Sequence, residues 1–302
     1  MNREPQRSHA AQPTATYHVA AVQMVSSLNV GTNLAAAAQL IEAAAGAGAR
    51  LVVLPENFAY LGNEAEPAPV VSERYQAGPI QQFLAQAAKH HGIWIVGGTI
   101  PLQADDKGKV YAACLLYDDQ GQVVARYDKI HLFDVSVGDP PRSYRESLSV
   151  EPGRQVVVAE TPFGKLGLAV CYDLRFPELF RAMVVQGMEL LAVPAAFTAV
   201  TGAAHWEVLL RARAIENLCY VVAAAQGGEH ACGRETYGHS LLVDPWGEVL
   251  ARLGQGPGIV DGEFDRCQAE LIRERFPSLQ HIRIVGKNTH EPIPSAGKKP
   301  HP

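Results

Sequence analysis

At 302 residues with 47% hydrophobic side chains, the chain can bury the core of one large domain or of two ordinary ones. A formal charge of -5 with no run of five like charges speaks against a nucleic-acid surface or a membrane-surface helix, and no apolar stretch approaches the ~20 residues that span a bilayer. Five scattered cysteines without a CxxC, and eleven histidines without HExxH or a ligand-spaced cluster, speak against a disulfide framework and a metal site and fit a reducing, cytoplasmic compartment.

Residues 1–16 carry Arg3, Glu4, Pro5, Arg7 and Pro13 without an apolar centre, which reads as a disordered tail and not as a secretory signal. A first strand is predicted over 18–24. An Ala-rich helix follows over 33–45, with Leu34, Leu40 and Ile41 on one side and Gly46 and Gly48 at its end. Residues 51–54 form a short apolar run, a buried strand that Pro55 stops. The next residue, Glu56, is notable, because a carboxylate beside a buried strand either points to solvent or needs a partner. A helix over 79–89 closes at His90, His91 and Gly92, and a strand follows over 93–98. Residues 110–117 and 122–127 read as a hairpin turned by 118–121. Directly after it, DKIHLFD (128–134) carries Lys129, a surface group unless a cleft brings it beside carboxylates.

Residues 135–152 make a Pro/Gly/Ser/Arg-rich loop with Tyr144 and Glu146, long enough to suggest a role beyond connection, such as gating a site. A second hairpin, 156–160 with 166–170, leads into Cys171. Asp173 then reads as an N-cap and Pro177 as the first residue of a helix running to 186. Unpaired N–H groups at such a strand-to-helix junction favour a thiolate and can hold an oxyanion. A strand over 190–193 follows, then Phe197 and Thr198. Residues 206–218 form an amphipathic helix whose apolar face is Val208, Leu209, Ile215 and Leu218, opposite Arg211, Arg213 and Glu216. Strands over 220–225, 240–244, 249–253 and 259–264 precede a last helix over 266–275. The segment from Pro292 onward reads as a mobile tail. The Gly-rich pieces at 97–99 and 254–258 lack nucleotide-binding spacing and read as turns. Helices alternate with strands and hairpins close each half. The expected fold is therefore α/β, with two mixed β-sheets packed face to face and covered outside by helices.

Glu56, Lys129 and Cys171 each follow a predicted strand, and strand ends facing the same way converge on one cleft. A carboxylate, an ammonium and a thiol suffice for amide hydrolysis through an acyl-enzyme. Cys171 is the nucleophile, Glu56 moves its proton, and Lys129 with the backbone N–H of Tyr172 stabilises the tetrahedral oxyanion.

LVVLPEN (51–57), YDKIHLFD (127–134) and LAVCYDLRFPEL (168–179) resemble, in order, the three catalytic blocks of the nitrilase (carbon–nitrogen hydrolase) superfamily. The resemblance covers residues 17–285 as one domain, leaving tails at 1–16 and 286–302. It implies a four-layer αββα sandwich that pairs into a homodimer, with no metal and no organic cofactor. It also implies Glu56 as general base, Lys129 as catalytic lysine, Cys171 as nucleophile and Glu146 as a second glutamate beside the lysine. TGAAHWEVLLRARAIENLCYVVAAAQGGEH (201–230), TYGHSLLVDPWGEVLA (236–251) and FPSLQHIR (276–283) look like the Nit-type branch. Within it they are most similar to the deaminated-glutathione amidases, with the omega-amidases as sister branch. Both act on small anionic amides, so the pocket needs a further cation or N–H donors. Arg175 is the nearest candidate, against a structural ion pair with Glu178 or Asp173. Phe197 and Thr198 are read as pocket walls, against plain core packing. A non-catalytic scaffold of the same fold is the remote alternative.

Overall fold

The structure is a computed structural model that describes residues 16–62, 68–106, 108–137 and 142–284. Residues 1–15 of the predicted N-terminal tail, the predicted C-terminal tail and residues 138–141 of the Pro-rich loop lie outside the described residues, while Thr16, expected in the tail, begins the first strand. The first half contains β1 (Thr16–Gln23), α1 (Val30–Gly46), β2 (Leu51–Val53), α2 (Pro79–His91), β3 (Trp94–Val96), β4 (Ile100–Gln103), β5 (Val110–Tyr117) and β6 (Val123–Asp128), then a ribbon of β7 (Asp134–Val137) and β8 (Arg142–Arg145). The second contains β9 (Val158–Thr161), β10 (Gly164–Leu168), a 3₁₀ turn (Cys171–Arg175), α3 (Pro177–Val185), β11 (Leu190–Ala195), α4 (Ala199–Asn217) and β12 (Tyr220–Ala225). It closes with β13 (Gly227–Glu229), β14 (Glu235–Tyr237), β15 (Leu241–Val243), β16 (Val249–Arg252), β17 (Gly258–Asp265) and α5 (Arg266–Arg275).

Two mixed sheets result, as expected. One runs β17-β1-β2-β3-β5-β4 with β6 paired to β5, and the other runs β16-β15-β12-β11-β10-β9. Each has three central parallel strands, β1-β2-β3 and β10-β11-β12, with antiparallel neighbours outside. These central strands read as unbroken apolar runs because both of their faces are buried. In β1, Val19 and Ala21 join the core between the sheets, while Ala20 and Val22 pack with Ile41 of α1 and Leu84 of α2. On the far side, Phe180 of α3 and Trp206, Leu210 and Ala214 of α4 cover the second sheet.

Several expectations change. The last strand, β17, returns to the first sheet and pairs antiparallel with β1 along its whole length. The loop over 135–152 holds the β7–β8 ribbon and a 3₁₀ turn at Glu146–Leu148. β4, β13 and β14, which no strong pattern announces, are short strands. α4 starts at Ala199, where the Thr198 side chain accepts from the Thr201 N–H and caps it. Its faces are also not those expected. Val208 and Ile215 are 68% and 47% exposed, while Arg213 and Asn217 are buried. The reason is that Arg213 donates from Nε and Nη2 to the Leu174 carbonyl, at 3.1 and 2.8 Å, so a charged side chain is needed on the inner face.

Candidate active site

The carboxyl ends of the parallel strands point to one place, and the sequence there forces sharp departures from strand geometry. The turn after β2 carries Glu56 and rests on Gly98, just past β3, which sits at φ 58° and where a Cβ would collide with the Pro55 carbonyl oxygen. Asn57 is left-handed at φ 57°, held by its N–H donating 2.8 Å to Thr99 Oγ1. Gln226, just past β12, donates from Nε2 to the Glu56 carbonyl at 3.0 Å, so both sheets fix this residue. Lys129 directly follows β6. Gly153 crosses its backbone and donates 2.8 Å to the Lys129 carbonyl. Cys171 opens the 3₁₀ turn at φ 50°, a conformation that strains a residue with a Cβ and that packing must hold.

Glu56, Lys129 and Cys171 are 3%, 1% and 5% exposed. The Lys129 ammonium donates to Glu56 Oε1 at 2.7 Å and to Glu146 Oε1 and Oε2 at 2.9 and 2.8 Å. Glu146 is anchored in turn, since its Oε2 accepts from the Phe133 N–H at 2.6 Å. Burial alone would strip the proton from Lys129, but the Glu146 and Glu56 carboxylates outweigh it and hold the ammonium charged well past its usual range. Burial raises the Glu146 carboxyl above its ordinary value, against the pull of Lys129. The Cys171 thiol is pushed well up, first by burial and then by the Glu56 carboxylate beside it, while Lys129 and the Ala196 N–H pull the other way. The resting sulfur therefore keeps its proton, contrary to the thiolate expected from the strand-to-helix junction. Two carboxylates against one ammonium leave a surplus negative charge that favours the thiol, and the neighbouring N–H groups do not offset it.

Asp173 is not the N-cap of α3, a place taken by Phe176. It is fully buried and staples the turn that begins at Cys171 to the end of β6 and the segment carrying Lys129. Its carboxylate accepts from the Val170 N–H at 2.8 Å, the Tyr127 hydroxyl at 2.6 Å and the His131 N–H at 3.0 Å, and lies 2.7 Å from His131 Nδ1. Tyr172 follows Cys171 in the turn, packs edge-on against Phe133 and Phe176, and its backbone N–H meets no acceptor among the described residues. Arg175 pairs with neither Glu178 nor Asp173. Its guanidinium lies 5.2 Å over Phe197 and 5.7 Å over Tyr172, with Nη1 3.1 Å from His205 Nδ1. The ion-pair reading fails because Asp173 has spent both oxygens elsewhere. Phe197 is buried against Trp206, with ring centroids 5.0 Å apart, and Thr198 is occupied as the cap of α4.

Sequence reasoning missed the roles of Tyr127, His131, Gln226 and Arg213, which hold the segments carrying Glu56, Lys129 and Cys171 in place. Tyr127 and His131 lie inside the 127–134 block and Arg213 and Gln226 inside the 201–230 segment, but nothing in their spacing shows the hydrogen bonds they make. Among the described residues no group of His, Cys, Asp and Glu is placed to hold a metal ion, and no helix is long and apolar enough to cross a membrane.

This arrangement matches known proteins. A family model described as carbon-nitrogen hydrolase matches residues 18–274. A protein of Yersinia enterocolitica named deaminated glutathione amidase is 44% identical over 89% of this chain and 93% of its own length. A Synechocystis protein of the same name is 46% identical over 89% of this chain and 99% of its own. Among solved structures, Saccharomyces cerevisiae Nit3, a member of branch 10 of the nitrilase superfamily, superposes with a TM-score of 0.78 at 32% identity, covering 87% of this chain and 94% of that one.

Proposed function

This chain belongs to the carbon–nitrogen hydrolase family, and from that premise we propose that it cleaves deaminated glutathione with water, releasing 2-oxoglutarate and cysteinylglycine. The observation that supports the chemistry is the buried contact of Lys129 with Glu56 and Glu146 beside the Cys171 thiol. Relatives of that name over nearly the whole described chain support the substrate.

In this reading the Cys171 sulfur attacks the amide carbon as Glu56 takes its proton, so the thiol never needs to ionise ahead of attack. The oxyanion meets the Tyr172 N–H and one N–H of Lys129. An ammonium has three protons, and one shared between the two Glu146 oxygens plus one on Glu56 leaves the third for substrate. Glu56 then hands its proton to the departing nitrogen. Water, activated by the same carboxylate, adds to the thioester and frees the acid and the thiol. The Glu146 carboxylate keeps Lys129 charged and aimed.

The deciding measurement is 2-oxoglutarate release from deaminated glutathione and, in parallel, from 2-oxoglutaramate. A higher kcat/KM for deaminated glutathione, abolished in Cys171→Ala, is the expected result. Preference for 2-oxoglutaramate would move the protein to the omega-amidase branch, and robust turnover by Cys171→Ala would overturn the mechanism.

We further propose that the protein works in the cytoplasm as a homodimer. In support, Ile215 of α4, Trp246 and Phe276 are about half exposed; Ile215 lies against Gly247, the residue after Trp246, and the Trp246 and Phe276 rings are 5.7 Å apart. Such a contiguous apolar face suits burial against a second copy.

A further inference from the structure

Beside the thiol lies a cation that the catalytic reading does not use. Arg234 stands in the link between β13 and β14. Its Nη2 donates 2.8 Å to the carbonyl of Ala196, the residue whose N–H faces the Cys171 sulfur. On its other side the guanidinium lies 5.6 Å over the ring of Tyr144, two residues before Glu146. Arg234 thus bridges the two walls of the cleft, one carrying the nucleophile and the other carrying the glutamate that grips Lys129.

Two features of this side chain bear on its role. Its Nε is shut off from solvent and finds no acceptor among the described residues, as is also true of Arg266 Nε. No described carboxylate lies within ion-pair distance of the guanidinium either, whereas the buried Arg213 and the partly buried Arg266 have Glu216 and Glu189. A partly exposed cation with unspent donors and no anion beside it is open to a ligand that supplies one. The planar fork of a guanidinium suits a carboxylate, which accepts two parallel N–H bonds. Nε is enclosed, one N–H of Nη2 is committed to Ala196 and the face to Tyr144, so Nη1 and the second N–H of Nη2 are the donors left to bind.

We propose that Arg234 is the anchor for a carboxylate of the substrate. This rests on the proposed amidase reading and extends it to the group that selects an anion. Deaminated glutathione carries two carboxylates, one on the 2-oxo acid end and one on the terminal glycine, whereas 2-oxoglutaramate keeps only the first. The chemistry recognised is the same at either end, and the two compounds tell the ends apart.

The test measures affinity of both compounds for the Cys171→Ala protein by calorimetry, alone and with Arg234→Gln or Arg234→Lys. Arg234→Gln should weaken binding about 10- to 100-fold, the loss of a charge-assisted pair, and Arg234→Lys should recover only part of it. Loss on both compounds places the anchored carboxylate at the 2-oxo acid end, and loss on deaminated glutathione alone places it at the glycine end. In protein retaining Cys171, Arg234→Gln should raise KM by the same factor, leave kcat within about threefold, and leave alkylation of Cys171 by neutral iodoacetamide unchanged. Undiminished affinity overturns the anchor. So does altered alkylation, which would mean that Arg234 only positions Ala196. Turnover of neither compound by the unmodified protein, with Arg234-dependent binding intact, overturns the substrate assignment alone. Absence of any binding overturns both.

Discussion

Lys129 is an ammonium with almost no water, satisfied by two carboxylates that repel one another. Removing it should be costly in two ways. Lys129→Met leaves the buried Glu56 facing the half-buried Glu146 without a cation between them, which should destabilise the fold by about 3–5 kcal/mol in a denaturant titration. It should also lower kcat by about 10²–10³, the usual cost of an oxyanion donor. Cys171 gives a different signature. Because burial and Glu56 hold its thiol protonated, alkylation at pH 7 should be slower than that of a free thiol and should rise about tenfold per pH unit up to pH 9. A plateau already at neutral pH would show a resident thiolate. Gly98→Ala should lose both soluble protein and activity, since neither the φ of 58° nor the space under Pro55 admits a methyl group. At this scale the cluster was legible, because Glu56, Lys129 and Cys171 each follow a predicted strand. Their ionisation was not, since it depends on charges brought together from residues 56, 129, 146 and 171.

Among the elements, the 3₁₀ turn is the part most tightly held. Four contacts to the Asp173 carboxylate fix its start, and the Arg213 fork on the Leu174 carbonyl fixes its end. Asp173→Ala should therefore lower kcat and stability together. Arg213→Lys, which keeps the charge but loses the fork, should cost about 1–3 kcal/mol in a melting experiment. The β13–β14 hairpin carries a pH dependence. His230 Nδ1 lies 2.8 Å from the Ser26 carbonyl, which can only accept, so the neutral ring carries its proton there and takes the Thr236 hydroxyl on Nε2 at 2.7 Å. Burial lowers its pKa below 6.5. The folded state therefore disfavours the charged ring, and this stability is complete above pH 6.5 and lost as pH falls through the lowered value. Thermal melts from pH 7.5 to 5 should show that loss, and His230→Gln should flatten it. Element by element, α5 and the strands of the two large sheets other than β4 were legible from apolar runs, whereas β7, β8, β13 and β14 were not. The faces of α4 were not. Periodicity sorts side chains by polarity, and here a buried carbonyl of another element calls a guanidinium inward while Val208 and Ile215 face out.

Over the whole molecule, two sheets with buried parallel centres bring the carboxyl ends of β2, β10, β11 and β12 to one cleft, and the pattern of the sequence was enough to expect that. The partner of the last strand was not readable, because alternation over 258–265 states that a strand forms without stating where it pairs. If the face around Ile215 and Trp246 is the dimer contact proposed above, Ile215→Glu should shift the sedimentation coefficient from dimer to monomer while Cys171 alkylation stays the same.

β17 supplies the neighbour of β1 across eight residue pairs, from Thr16 with Asp265 to Gln23 with Gly258. On the ribosome, β1 is therefore the first of the described strands to emerge, and while its β2 edge can pair early its other edge is nearly the last to be paired. Until the chain has been extended past residue 265 the first sheet keeps an open edge, a surface on which nascent chains stick to one another. Pairing across so long a stretch also makes folding slow and late. Stalled chains ending near residue 250 should be cleaved by protease in both halves, and chains extended past 275 should become resistant throughout in a single step. For this protein, synthesis and folding are successive events, and the interval between them is when a chaperone would matter most.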